Sequence, residues 1–124
     1  MHTILIVDDS TTMRRMVKAS LSGLPDAVFL EAENGLEAIE KVAIEEISLM
    51  VLDLNMPDMH GLEVLAFLRS HRKYRDLAVM VLTTRGDEAS RKAALGAGAS
   101  LYQTKPFKPA QLKQHALELL GGTS

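Results

Sequence analysis

The chain has 124 residues, 47% of them hydrophobic and 24% charged, with no cysteine and a formal net charge of -2. That length fits one domain over residues 1–124 with a real core, not two of ordinary size. The weak acidity offers no electrostatic footprint for nucleic acid, and the lack of cysteine excludes disulfides and thiolate metal sites.

The opening MHTILIVDDS meets Asp8 and Asp9 too soon for a signal peptide, and no apolar run approaches the roughly 18 residues of a membrane span, so a cytoplasmic protein is expected. Residues 3–7 read as a first strand. Met13, Met16, Val17, Ser20 and Leu21 then recur near the 3.6 period of a helix. A strand over 27–32 and a helix over 35–44 follow, and the strand over 48–52 ends at Asp53 before the turn residues Asn55, Pro57, Asp58 and Gly61. Helical spacing returns at Leu62, Val64, Leu65 and Leu68, then a strand over 78–82, a helix over 88–95 and a strand over 100–104. Pro109 suits the first turn of a last helix over 110–120. Gly35, Gly61, Gly96 and Gly98 fall at helix boundaries, where tolerance of positive φ is useful. The closing GGTS reads as a loose tail or the start of a linker.

This pattern is (βα)5, an α/β fold. Parallel strands need crossover connections that lie on the sheet faces, so it implies a doubly wound five-stranded parallel sheet covered on both sides. Four of the five strands then deliver polar residues at their carboxyl ends: Asp8 and Asp9, Asp53, Thr83 and Thr84, and Lys105. In an open parallel sheet those ends share the edge where ligands bind. Taken singly, each has an ordinary reading: Asp8 and Asp9 as loop residues that help Ser10 cap the next helix, Asp53 as turn chemistry, and the Thr and Lys-Pro as surface turns. The conjunction is far more specific than its parts.

Two carboxylates on adjacent strands, about 5 Å apart, repel by roughly 3 kcal/mol at an effective dielectric of 20. Lys105 offers one cation against Asp8, Asp9 and Asp53, and the surplus of oxygen ligands suits Mg²⁺. The four histidines are scattered without zinc-like spacing. A carboxylate nucleophile at Asp53, a metal, a hydroxyl donor in Thr83 and a cation in Lys105 are the parts needed to form an aspartyl phosphate.

On these residues the chain resembles the response-regulator receiver family, especially its stand-alone chemotaxis type, over essentially its whole length. The resemblance implies a flavodoxin-like strand order 2-1-3-4-5. It also implies Asp53 as phosphoacceptor, Asp9 as a direct Mg²⁺ ligand, Asp8 as a ligand through water, and Asn55 as a backbone-carbonyl ligand. Thr83 and Lys105 would hold phosphoryl oxygens, the Lys105–Pro106 bond would be cis, and Tyr102 would be a rotating switch aromatic. The output face would lie on the last helix-strand-helix unit, around Arg91, Tyr102, Thr104 and His115. Implied partners are a sensor histidine kinase, an output protein such as the flagellar motor switch, and a phosphatase; the protein is expected to be a monomer without nucleic-acid or membrane binding. Thr84, His60, Arg85 and Asn55 depart from the common pattern around the site.

A phosphorelay shuttle and a receiver cut from a larger regulator remain open as roles. A haloacid-dehalogenase-type phosphohydrolase needs a second Asp as general acid where this chain has Asn55. A nucleotide-binding module is disfavoured because GAGAS, residues 96–100, precedes a strand and no phosphate-loop motif occurs.

Overall fold

The computed structural model describes residues 1–56 and 59–121; Pro57 and Asp58 of the expected turn, and Gly122, Thr123 and Ser124 of the tail, lie outside them. Elements run in chain order as β1 (His2–Val7), α1 (Thr11–Leu21), β2 (Ala27–Ala32), α2 (Gly35–Ile44), β3 (Leu49–Leu52), α3 (Gly61–Ser70), β4 (Ala78–Thr83), α4 (Glu88–Gly96), β5 (Leu101–Thr104) and α5 (Pro109–Leu119). A single 3-10 turn, Arg72–Tyr74, stands between α3 and β4. No apolar period announces it.

All neighbouring strands pair in parallel, in the order β2-β1-β3-β4-β5. This is the doubly wound, flavodoxin-like arrangement. Alternation along the inner strands sorts their side chains onto two faces. Leu5, Val7, Met50, Leu52, Val79 and Val81 pack with α2, α3 and α4, while Ile4, Ile6, Leu49, Val51, Met80 and Leu82 pack with α1 and α5. Each such side chain, removed from water, contributes about 1.5–3 kcal/mol. With both faces covered, β3 is buried at every position, which is why LMVL carries no polar alternation.

Helix starts follow local chemistry. Ser10 Oγ accepts from Met13 N–H at 3.1 Å, Asn34 Oδ1 from Glu37 N–H at 2.9 Å, and Asp87 Oδ2 from Ser90 N–H at 3.0 Å. Pro109 occupies the first turn of α5. One expectation is corrected: of the four boundary glycines, only Gly98 has positive φ, at 110°. Gly61 is required for a different reason, since a Cβ there would stand 2.6 Å from the Asp53 carbonyl oxygen and 2.8 Å from Leu54 Cα. The start of α3 thus packs directly against the backbone that carries Asp53.

Candidate functional site

Strand register builds the site. Val7 pairs with Leu52, so Asp8 and Asp53 emerge side by side, and Asp53 N–H donates to the Val7 carbonyl at 3.0 Å. On the other side of β3, Thr83 is the last residue of β4 and pairs with Thr104; Lys105 follows, its N–H donating to the Thr83 carbonyl at 2.8 Å. The Lys105–Pro106 peptide is cis. Three strand ends and the β5 exit therefore converge on one edge.

Asp8 is 4% exposed and Asp53 5% exposed, whereas Asp9 faces solvent. One carboxylate oxygen from each of the three lies within 4.8 Å of the others. Lys105 reaches in with a nearly buried side chain: its Nζ lies 2.7 Å from Asp8 Oδ2 and 3.6 Å from Asp53 Oδ2. The remaining oxygens are engaged too, Asp8 Oδ1 by Ser10 N–H at 2.9 Å and Asp53 Oδ1 by Asn55 N–H at 3.2 Å. Burial pushes the Asp53 carboxyl above its ordinary range and the Asp8 charge adds to this, opposed by the Lys105 ammonium, the Asn55 N–H and the Thr83 hydroxyl. An acidic edge under this strain gains from a further cation. Three carboxylates converging on one edge offer the oxygen ligands that a hard divalent ion takes, and the donor set fits Mg²⁺.

Thr83 is fully buried, and its Oγ1 accepts from Arg85 N–H at 3.4 Å. Arg85 links the surrounding loops: its Nε donates to Asn55 Oδ1 at 2.8 Å, and its carbonyl accepts from the Tyr102 hydroxyl. Tyr102 is half-buried against the α2–α3–α4 face, and its phenol is raised by burial first and by Asp87 second. His60 precedes α3 with Nδ1 3.2 Å from the Leu54 carbonyl, and Thr84 is exposed at the rim. Arg91, Thr104 and His115 lie outside the carboxylate pocket. Arg91 is exposed on α4 and pairs with Glu88 at 3.4 Å, Thr104 ends β5, and His115 on α5 has a buried Nδ1 without a hydrogen-bond partner among the described residues. With Tyr102 they span the α4, β5 and α5 elements expected of the output face.

Sequence reasoning missed Arg14 and Glu31. Arg14 is buried in α1, and its Nε meets Glu31 Oε1 at 2.7 Å. A signal was present: Arg14, Val17 and Leu21 share the buried stripe of the helix, and a cation on an apolar stripe calls for a partner.

Among the described residues, no helix is long and apolar enough to cross a membrane. The family profile for the response regulator receiver domain matches residues 4–117. A chemotaxis protein CheY homolog of Campylobacter jejuni is 41% identical over 119 residues, covering 95% of this chain and 92% of that protein. Chemotaxis protein CheY1 of Helicobacter pylori is 42% identical over 122 residues, covering 98% of each. Among solved structures, the Mn²⁺-bound form of response regulator Rcp1 superposes with a TM-score of 0.87 at 26% identity, covering 100% of this chain and 98% of that one. With the strand order, the acidic edge and these similarities in agreement, the chain belongs to the response-regulator receiver family.

Proposed function

We propose that this protein is a cytoplasmic chemotaxis switch, a single receiver domain that accepts a phosphoryl group on Asp53 from a sensor histidine kinase. The observation that carries the reading is the buried Asp53 carboxylate held beside Asp8 with Lys105 Nζ 3.6 Å away. Chemotaxis is supported by the two CheY relatives, whose full length this chain nearly spans.

Asp9, Asp53 and the Asn55 carbonyl would hold Mg²⁺ directly, with Asp8 contributing through water. When bound, the ion supplies positive charge against the phosphoryl oxygens. The chain's own groups do the rest. An Asp53 oxygen attacks phosphorus as the donor's N–P bond breaks and the histidine leaves, taking up a proton. Lys105 balances the negative charge that gathers on the phosphoryl oxygens. Hydrolysis resets the switch: water attacks phosphorus, the aspartyl O–P bond breaks, and phosphate departs with Asp53 again ionised.

Readout runs through Thr83. Its hydroxyl accepts from Arg85 N–H and can turn its own proton from the Asp53 carboxylate to a phosphoryl oxygen. Movement toward that oxygen loosens the hold on Arg85, whose carbonyl anchors Tyr102, and so biases the surface of Arg91, Tyr102, Thr104 and His115 toward an output partner. The rotation expected of Tyr102 begins, in this reading, from the anchored position.

The direct test is incubation with a small acyl phosphate and Mg²⁺, followed by intact-protein mass measurement. The parent should take up one phosphoryl group and Asp53→Asn none, with unchanged circular dichroism. Stoichiometric uptake by the variant would sink the assignment.

A further inference from the structure

Arg14 is a charged side chain in the interior, 9% exposed, that the proposed chemistry does not use. A guanidinium on the sheet-facing stripe of α1 is costly unless its N–H groups find acceptors, and the acceptors come from three segments. Nε donates to Glu31 Oε1 at 2.7 Å, Nη2 to Thr11 Oγ1 at 3.2 Å, and Nη1 to the Asp8 carbonyl at 2.6 Å. That carbonyl belongs to the planar peptide joining Asp8 to Asp9. On its other side, Asp8 is tied by its N–H to the Ala32 carbonyl at 3.1 Å. The link that both carboxylates spring from is thus clamped by a rigid donor fork on one side and by strand pairing on the other.

We infer that Arg14 is a positioning residue for the metal site: by fixing the Asp8–Asp9 peptide plane it directs the exposed Asp9 carboxylate toward those of Asp8 and Asp53. This rests on the reading that the acidic trio holds Mg²⁺. Two effects oppose each other here, because a cation near the site also weakens binding of another cation. Glu31 offsets most of that charge, which leaves orientation as the larger effect. The sign of the change on substitution therefore decides between them.

The experiment is Mn²⁺ binding by the full chain, followed by loss of the free-ion paramagnetic resonance signal and checked by Mg²⁺ competition. Metal-free melting curves of each variant run alongside. Arg14→Met and Arg14→Lys should each bind Mn²⁺ about 10-fold more weakly, as is typical when an outer partner of a metal ligand is lost. Lysine keeps the buried charge but not the fork, so Arg14→Lys should lose affinity while its metal-free midpoint stays close to the parent's; it also carries the test if the methionine variant does not fold. Glu31→Gln, which retains Arg14 and loosens its hold, should weaken binding by only about 3-fold, less than the roughly 10-fold expected when the outer partner itself is lost. A folded Arg14→Lys that binds Mn²⁺ as tightly as the parent overturns the inference, as does Arg14→Met binding more tightly. A parent that fails to bind Mn²⁺ is a different result, since it removes the metal site itself and the role of Arg14 with it.

Discussion

The two ends of the sheet contrast sharply. At the amino end, between the end of α2 and the start of β4, a cavity of about 530 Å³ is lined by Val42, Ile44, Ile47, Tyr74 and Leu77, with Glu45, Glu46, Lys73 and Asp76 around them. It is roomier than the 300 Å³ depression lined by Asn55, His60, Arg85 and Asp87 at the carboxyl end. Yet the buried polar and charged residues among those described are Asp8, Arg14, Asp53 and Thr83, all at the carboxyl end. At the amino end the charges are exposed and solvated. Volume follows from imperfect packing of helix ends and loops, whereas chemistry follows from charges forced together without water. The end that gathers the buried charges is the one built to act.

The largest expected effect tests whether that crowding is resolved by a cation. Mg²⁺ at 100 times its dissociation constant should stabilise the folded chain by about 2.7 kcal/mol, raising the melting midpoint by roughly 10 °C. Asp9→Ala should remove most of that rise, and a full shift in the variant would show that the ion binds elsewhere.

Next comes the backbone beneath the site. Gly61→Ala places a methyl group against the Asp53 carbonyl and Leu54 Cα, neither of which can swing away. A loss of about 2 kcal/mol is expected, comparable to other backbone-strain substitutions. Denaturant melts that coincide with the parent's would contradict the close approach.

Asp53→Asn in the presence of a chelator probes the same edge with the opposite sign. The Asp53 carboxyl is raised above its ordinary 3.8, so the folded state favours its protonated form. The stability gained from that preference is fully present below the ordinary value and is lost as pH rises through the raised one. Near pH 7 the ionised carboxylate is a net cost on the order of 1 kcal/mol, the part of its burial penalty that the Lys105 attraction leaves uncompensated. The variant should therefore melt roughly 3–5 °C higher at neutral pH and lose its advantage below about pH 4. A constant difference across pH would exclude this origin.

The smallest effect belongs to the other end. Ile44 is 76% exposed beside the large cavity, and Ile44→Glu should change stability by no more than about 0.5 kcal/mol. Its rate of phosphoryl uptake should match the parent's. A marked slowing would mean that the two ends are coupled and would undo the contrast drawn above.

Much of this was legible along the chain because the governing signals are local. The period-3.6 stripes of α1 and α3, the unbroken apolar run of β3 and the polar residues at the ends of four strands depend only on near neighbours. Five strands alternating with helices already required one edge bearing Asp8, Asp9, Asp53, Thr83 and Lys105. Partner choice was decided only by tertiary packing. Lys105 lies closer to Asp8, 97 residues away, than to Asp53, because the sheet order and the β5 exit direct the ammonium there. Arg14 finds Glu31 and the Asp8 carbonyl only once α1 lies across β1 and β2. Gly61 serves contact instead of positive φ because α3 starts against the Asp53 backbone. These are distances between segments remote in sequence, set by how two packed layers meet, and no window of neighbouring residues encodes them.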